Sequence, residues 1–275
     1  MKFVFFLLAL ISLLHAKGIE DAKAYHKNSP MQWHVAMQAI DLIPWQDSER
    51  ILDIGCGDGK ITALLTTKVP NGSVVGIDIS QSMIDFASSN YPQIDFPNLT
   101  FLTGNATELP FEQQFDRVVS FSTLHWVLDQ AKVLKGIYRS LVSGGEASLH
   151  TYSNSPMNVV TVAESLIRTE KWAPYFPSYT KQRIFVTAQE YRTLLEQAHF
   201  QQIQILEFCD DTPFPNRESL IHFLEPVLTF TRHLPLDLQQ EFAEEVADSL
   251  ITIAQPSEDG MIHFRTFNLQ ARAVK

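Results

Sequence analysis

One stretch in the first quarter of the chain constrains the fold more than any other. Residues 51–54 form an apolar run that is typical of a strand buried on both faces. The run breaks into a loop containing Gly55, Gly57 and Gly59, and apolar residues then repeat at helical spacing from Lys60 onward. Glycine lacks the Cβ atom that would keep a ligand away from the backbone. The order strand, glycine loop, helix therefore predicts an α/β fold with a ligand at the loop.

The spacing of these glycines separates the ligand classes that such loops bind. A phosphate-binding P-loop needs glycine five positions before a Gly-Lys pair and Ser or Thr directly after it, but this chain has Ile54 and Ile61 there. A dinucleotide fingerprint places its third glycine at position 60, which is Lys60 here. The first mismatch argues against a P-loop. The second weakens an NAD-dependent reductase as an interpretation and leaves it open.

The pattern Asp-x-Gly-x-Gly-x-Gly that begins at Asp53 resembles motif I of the class I S-adenosylmethionine-dependent methyltransferases. Later segments follow in the order found in that family. A strand-like run ends at Asp78, where doubly wound nucleotide sites place an acid for the ribose hydroxyls. Residues 104–111 resemble the adenine loop, with Asn105 where many members carry Asp. An amide can both donate and accept hydrogen bonds, whereas a carboxylate only accepts them.

The resemblance implies S-adenosylmethionine as the cofactor and a set of residues that contact it. These residues lie in the motifs or directly beside them, apart from one in the N-terminal segment. They are Tyr25, Asp53, Gly55, Gly57, Gly59, Asp78, Ile79, Met83, Asn105, Ala106 and Ser122.

Two further segments are similar to methyltransferases that esterify carboxylic acids. Residues 122–129 contain the Leu-His-Trp-Val run of the trans-aconitate and juvenile hormone acid groups, and residues 25–32 resemble the N-terminal helix of the latter group. The resemblance implies that this helix closes over the donor and that Gln32 and Trp126 hold the acceptor carboxylate. A carboxylate is already ionised at neutral pH, so its methylation needs no general base.

Other functions are compatible with the same residues. A hydroxyl, amine or quinone-like acceptor would need a base, and His125 is then the first candidate, although its position favours a hydrogen-bonded core histidine slightly more. A different class of function is an exported binding protein that keeps the fold without catalysis. The sequence identifies neither the acceptor nor the oligomeric state.

The predicted architecture is a doubly wound, seven-stranded, mostly parallel sheet with helical lid insertions after strands 5 and 6. Residues 17–275 are predicted to form a single methyltransferase domain. Its core spans 45–152 and 187–275, and its lid helices come from 17–44, 156–186 and 216–255. A helix over Asp129 to Leu141 is expected, stopped by Gly144 and Gly145, before a fifth strand over 146–152. The aromatic cluster at residues 172–176 is expected to be core.

The N-terminus and the overall composition bear on location and partners. Residues 1–16 have a positive residue and an apolar stretch and resemble a secretory signal, with a cytoplasmic protein as the alternative; the stretch is too short for an ordinary membrane-spanning helix. The net charge of −10 argues against a nucleic-acid partner. The only cysteines are Cys56, in the glycine loop, and Cys209, on a later strand, so no disulfide is expected; neither has metal-ligand spacing around it, so no metal site is expected. The expected partner is a small-molecule acceptor.

Overall fold

The computed structural model describes residues 22–27, 30–225, 227–254, 257 and 259–275. The predicted signal segment, residues 1–16, lies outside these ranges. The helices are α1 (Ala22–Lys27), α2 (Pro30–Asp41), α3 (Lys60–Lys68), α4 (Gln81–Asn90), α5 (Gln130–Ser140), α6 (Val159–Ile167), α7 (Ala188–Gln197), α8 (Arg217–Leu224) and α9 (Leu236–Ala254). The strands are β1 (Arg50–Ile54), β2 (Ser73–Asp78), β3 (Leu99–Thr103), β4 (Phe115–Phe121), β5 (Leu141–Tyr152), β6 (Gln201–Phe214) and β7 (Ile262–Val274).

The seven strands form one sheet in the order β3-β2-β1-β4-β5-β7-β6. The pairs β1·β2, β1·β4, β2·β3 and β4·β5 are parallel. Strand β7 is antiparallel to β5, since Gly144 N–H donates to the Lys275 carbonyl and Lys275 N–H donates to the Gly145 carbonyl. The predicted doubly wound sheet is therefore confirmed. The strand order reverses beside β1 and β4, which is where open α/β sheets bind ligands.

Helix α2 is fixed against the sheet by an apolar face. Ala36 and Ile40 are buried in a cluster that also contains Ile51 of β1 and Phe121 of β4. Helix α2 ends at Asp41, and the chain then enters β1 at its amino end. The first turn of α2 therefore lies toward the carboxyl ends of the parallel strands.

The junction between α5 and β5 differs from the sequence prediction. Helix α5 ends at Ser140, and β5 begins with the next residue rather than at Glu146. Gly144 and Gly145 lie inside β5, where the register against β4 is irregular. Gly144 has a φ of 78°, a left-handed conformation that glycine adopts without steric cost. The two glycines therefore belong to a strand irregularity, and the prediction that they end the helix is wrong.

The chain divides into two compact units. The first contains the described residues up to Thr151 together with Ala188–Leu206 and Leu269–Lys275; the second contains Tyr152–Thr187 and Glu207–Asn268. The second unit has its own core, in which Trp172 is fully buried and meets Phe242 edge-on at 4.9 Å between ring centroids. Trp172 also donates its indole N–H to Glu245 at 2.7 Å. The expectation that the 172–176 cluster supplies core residues is thus confirmed for Trp172 and Phe176.

Among the described residues, no helix combines the length and apolar character needed to cross a membrane.

Candidate functional site

The glycine loop leaves the carboxyl end of β1 and is tied to β2. Gly55 N–H and Cys56 N–H both donate to the Ile77 carbonyl, at 2.8 and 3.0 Å. Gly59 occupies the N-cap position of α3 in a left-handed conformation, so this position supplies no side-chain hydrogen bond to the first turn of the helix. The loop therefore leads directly into the first turn of a helix, whose N–H groups lack intrahelical partners.

The structure gives a second reason for these glycines. Gly55, Gly57 and Gly59 have φ values of 78°, 53° and 79°. A Cβ atom on Gly55 would lie 2.1 Å from Cγ2 of Thr123, and one on Gly59 would lie 2.7 Å from Cβ of Ala87. Backbone conformation and packing within the protein thus exclude a side chain at Gly55 and Gly59, in addition to the ligand approach inferred from the sequence.

Asp53 lies at the end of β1 and is almost completely buried. Thr62 Oγ1, on the first turn of α3, donates to Asp53 Oδ2 at 2.7 Å. Burial raises the pKa of Asp53 to about 7, with a smaller contribution from the negative charge of Asp78 and an opposing one from the Thr62 hydrogen bond. The sequence predicted Asp53 as a site residue but not its partner Thr62.

Asp78 ends β2 with both carboxylate oxygens held by the backbone. Gly57 N–H donates to Oδ2 at 3.1 Å and Ser80 N–H donates to Oδ1 at 2.9 Å. Burial raises the pKa of Asp78, and these N–H groups oppose the rise. Each oxygen has a second lone pair, so the fixed carboxylate can accept from two hydroxyl groups of a ligand. This geometry suits the ribose role that was predicted for Asp78.

A third carboxylate, Asp58, was missed by the sequence interpretation. Asp58 is buried within the glycine loop, and its Oδ1 accepts from Lys60 N–H at 3.2 Å. Burial raises the pKa of the Cys56 thiol well above its usual range, and the negative charges of Asp53, Asp78 and Asp58 add to the rise. Three acidic side chains therefore surround the loop, and because the pKa of Asp53 is about 7, Asp58 and Asp78 carry most of the negative charge at neutral pH. Such a site repels phosphates and suits a cationic ligand such as a sulfonium.

The predicted adenine end follows β2 and β3. Ile79, directly after Asp78, exposes 38% of its surface, which leaves an apolar side chain open to a flat ring. Asn105 begins a short 3₁₀ turn, Ala106–Glu108, and its Oδ1 accepts from both the N–H and the hydroxyl of Thr107 at 3.0 Å. With its oxygen occupied, Asn105 offers a ligand its amide N–H groups.

Two other residues that were predicted to contact the methyl donor differ in their solvent exposure. Ala106 is half-buried beside Asn105. Met83, on α4, is 1% exposed and belongs to the buried core. The roles of both residues toward a donor stay predictions.

The carboxyl end of β4 contains a strained residue. Ser122 has a φ of 51°, which is uncommon outside glycine. Its N–H donates to Nδ1 of His150 at 3.3 Å, and His150 is fully buried on the neighbouring strand β5. Thr123 Oγ1 donates to the Gly55 carbonyl at 3.2 Å, which ties this turn to the glycine loop. No motif in the sequence pointed to His150.

Two candidate catalytic residues follow in a 3₁₀ turn, Leu124–Trp126. Gln130 holds the turn by donating Nε2–H to the Leu124 carbonyl at 2.7 Å. The rings of His125 and Trp126 lie 5.5 Å apart between centroids. Their environments differ, since His125 is 5% exposed and Trp126 is 44% exposed. The turn thus presents the indole and buries the imidazole.

The two N-terminal candidates lie on α1 and α2. Gln32 is half-buried in the first turn of α2, at the carboxyl side of the sheet. The backbone of Tyr25 belongs to α1, and its side chain lies outside the described part of the molecule. Within the described ranges, no group of three His, Cys, Asp or Glu side chains could hold a metal ion.

Comparison with known proteins agrees with this geometry. Residues 46–203 match the family model of a methyltransferase domain, which is more than half of the chain. The juvenile hormone acid O-methyltransferase of Bombyx mori is 25% identical over 252 residues, covering 84% of this chain and 86% of the relative. The trans-aconitate 2-methyltransferase of Variovorax paradoxus is 23% identical over 224 residues, covering 80% and 85%.

A solved structure shares the fold. It is phosphoethanolamine N-methyltransferase 2 of Haemonchus contortus in complex with S-adenosyl-L-methionine, with a TM-score of 0.58 and 20% identity. The match covers 88% of this chain and 52% of that one. The family model, the relatives, the fold and the anionic glycine loop agree. The chain belongs to the S-adenosylmethionine-dependent methyltransferases.

Proposed function

We propose that this enzyme methylates the carboxylate oxygen of a small-molecule carboxylic acid. The observation that carries the proposal is the contrast between buried His125 and exposed Trp126 at the end of β4. A hydroxyl or amine acceptor needs a base that reaches it, whereas a carboxylate needs none. In this turn the candidate base His125 is buried, and the aromatic ring of Trp126 is exposed to an acceptor. This arrangement favours a carboxylate acceptor.

The names of two relatives support the same class of acceptor. Juvenile hormone acid and trans-aconitate are both carboxylic acids. Because the identities are 25% and 23%, they support a class of acceptor and do not identify a compound.

The chemistry that the chain must provide is positioning. S-adenosylmethionine, when bound, supplies an electrophilic methyl group; an O–CH₃ bond forms as the S–CH₃ bond breaks. In the proposal, the Gln32 amide and the Trp126 indole N–H hold the acceptor carboxylate in line with that methyl group. The negative charges of Asp58 in the glycine loop and Asp78 at the end of β2 favour a cationic donor over its neutral demethylated product.

A substrate screen tests the proposal directly. Acids, alcohols and amines with the same carbon skeletons are incubated with the enzyme and isotopically labelled donor, and the products are identified by mass spectrometry. We expect label in methyl esters and none in methyl ethers. Label in alcohols or amines with none in acids would contradict the proposal, and donor binding without any labelled product would favour the non-catalytic alternative.

Two variants separate the roles of the neighbouring residues. Trp126→Phe keeps an aromatic wall and removes the indole N–H, so kcat/KM for the acid should fall about 10–100-fold. His125→Gln keeps a polar side chain of similar size and should retain turnover within about tenfold of the native enzyme. Donor affinity, measured by calorimetry, should be unchanged in both. Loss of turnover in His125→Gln at normal donor affinity would instead identify His125 as a base.

A further inference from the structure

Two contacts join the N-terminal helices to the glycine loop. His26 Nδ1, on α1, lies 2.7 Å from Asp58 Oδ2. The Lys60 ammonium lies over the ring of Trp33, on α2, at 4.3 Å from its centroid. Asp58 and Lys60 flank Gly59, the left-handed residue at which α3 begins. Both contacts therefore end on the same three residues of the loop.

The Asp58 carboxylate is shared between the loop and α1. Its Oδ1 accepts from Lys60 N–H, in the first turn of α3, and its Oδ2 is engaged by His26. Asp58 is buried, so each of these hydrogen bonds replaces solvent that the carboxylate has lost. Loss of the His26 partner would leave a buried carboxylate oxygen with one fewer hydrogen bond, which is costly.

The imidazole is held from a second side. The rings of His26 and Phe86, on α4, lie 5.3 Å apart between centroids. Ala22, at the start of α1, is buried. The contact between His26 and Asp58 is thus made by a side chain that packing has already oriented.

Helix α1 lies close to the first turn of α2 in the chain. Only two residues separate α1 from α2, and the first turn of α2 carries Gln32 and Trp33. Release of α1 from Asp58 would therefore act on α1 and the first turn of α2, where the Lys60–Trp33 contact remains, while the apolar face of α2 keeps the rest of that helix on the sheet.

We propose that His26 is a positioning residue that holds α1 on the donor loop through Asp58 and thereby slows dissociation of the donor. His26 does not contact the reacting atoms. The inference rests on donor binding at the glycine loop, and it does not depend on the acceptor being a carboxylic acid.

The test compares two substitutions of one side chain. His26→Phe keeps a ring against Phe86 and removes the hydrogen bond, whereas His26→Asn places an amide nitrogen near the position of Nδ1. Stopped-flow measurement of S-adenosylmethionine dissociation should show a rate on the order of tenfold faster in His26→Phe. The rate in His26→Asn should stay within about threefold of the native enzyme.

Matched controls separate positioning from general destabilisation. His34 lies on the exposed side of α2 and contacts Gln38, so His34→Phe should leave the dissociation rate unchanged. Asp58→Asn should accelerate dissociation as His26→Phe does, and the double variant should be no faster than the faster single variant.

Three results would overturn the inference. The first is a dissociation rate of His26→Phe within twofold of the native rate. The second is a double variant, His26→Phe with Asp58→Asn, in which the two single effects multiply. The third is equal acceleration in His26→Phe and His26→Asn. Because no acceptor is present in the experiment, failure of the carboxylic-acid proposal would not change any of these outcomes.

Discussion

Asp53 illustrates how burial alters a residue whose place the sequence predicts well. The motif fixes it at the end of β1, where a strand covered on both faces leaves the carboxyl group little solvent. Burial raises its pKa to about 7, while the unfolded-state value is about 4. The folded chain therefore binds a proton more tightly than the unfolded chain, and Asp53 destabilises the fold as the pH rises between those values.

Replacing Asp53 by Asn should remove this pH-dependent cost. An Asn side chain still offers Thr62 an acceptor oxygen, and it cannot ionise. At pH 8 the variant should unfold with about 1–3 kcal/mol more free energy than the native chain, with a smaller gain at pH 5. Urea unfolding at both pH values measures the difference. A gain in the free energy of unfolding that is equal at pH 5 and pH 8, or a loss at pH 8, would contradict a raised pKa of Asp53.

Other site residues were beyond sequence reasoning because their partners are distant in the chain. Asp58 occupies a variable position of the glycine motif, and its contact with His26 spans 32 residues. His150 lies in a strand without a motif, and it matters because Ser122 adopts a left-handed conformation nearby. Short motifs report local backbone geometry, and they cannot report which side chain arrives from elsewhere.

At the scale of elements, charged side chains join four strands at the amino end of the sheet. Arg117, on β4, is buried and donates from Nε and Nη2 to the Glu49 carboxylate, at 3.0 and 2.8 Å. It also pairs with Glu146 of β5, which in turn accepts from Arg272 of β7 at 2.8 Å. Glu49 directly precedes β1. The network thus links β1, β4, β5 and β7.

Breaking this network should lower the free energy of unfolding far more than breaking a surface ion pair nearby. Arg117→Met leaves Glu49 buried without its cation and should lower the free energy of unfolding by about 3–5 kcal/mol. Arg50→Met removes a partner of Asp116 in a pair that is 48% and 33% exposed, and it should cost less than about 1 kcal/mol. Urea unfolding of both variants gives the comparison. Similar losses in the two variants would contradict a dominant buried network.

Elements with a clear period were predictable, and their junctions were less so. The alternation and spacing of apolar residues predicted the parallel strands and the helix that follows the glycine loop. The two glycines after α5 were misread because a helix stop and a strand irregularity use the same left-handed conformation. Only pairing with β4, a long-range property, distinguishes the two.

At the scale of the whole molecule, the sheet brings two separate sequence segments together. The segment of β1 and the glycine loop supplies Asp53 and Asp58, and the end of β2 supplies Asp78. The negative charges of all three raise the pKa of the Cys56 thiol. The sequence identified the donor from the glycine motif, Asp78 and the segment around Asn105, while the anionic character of the site emerged from the fold. That character explains in physical terms why a cationic donor fits and a phosphate ligand does not.

Calorimetric titration with S-adenosylmethionine tests this account most directly. The native chain should bind S-adenosylmethionine and should show no binding of NAD. Asp78→Ala should weaken donor affinity at least about tenfold, since two hydrogen bonds to a charged acceptor are lost. Asp116→Ala, at the opposite end of the sheet, should bind as the native chain does. Absence of donor binding, or Asp78→Ala binding as tightly as the native chain, would contradict the assignment of the donor site.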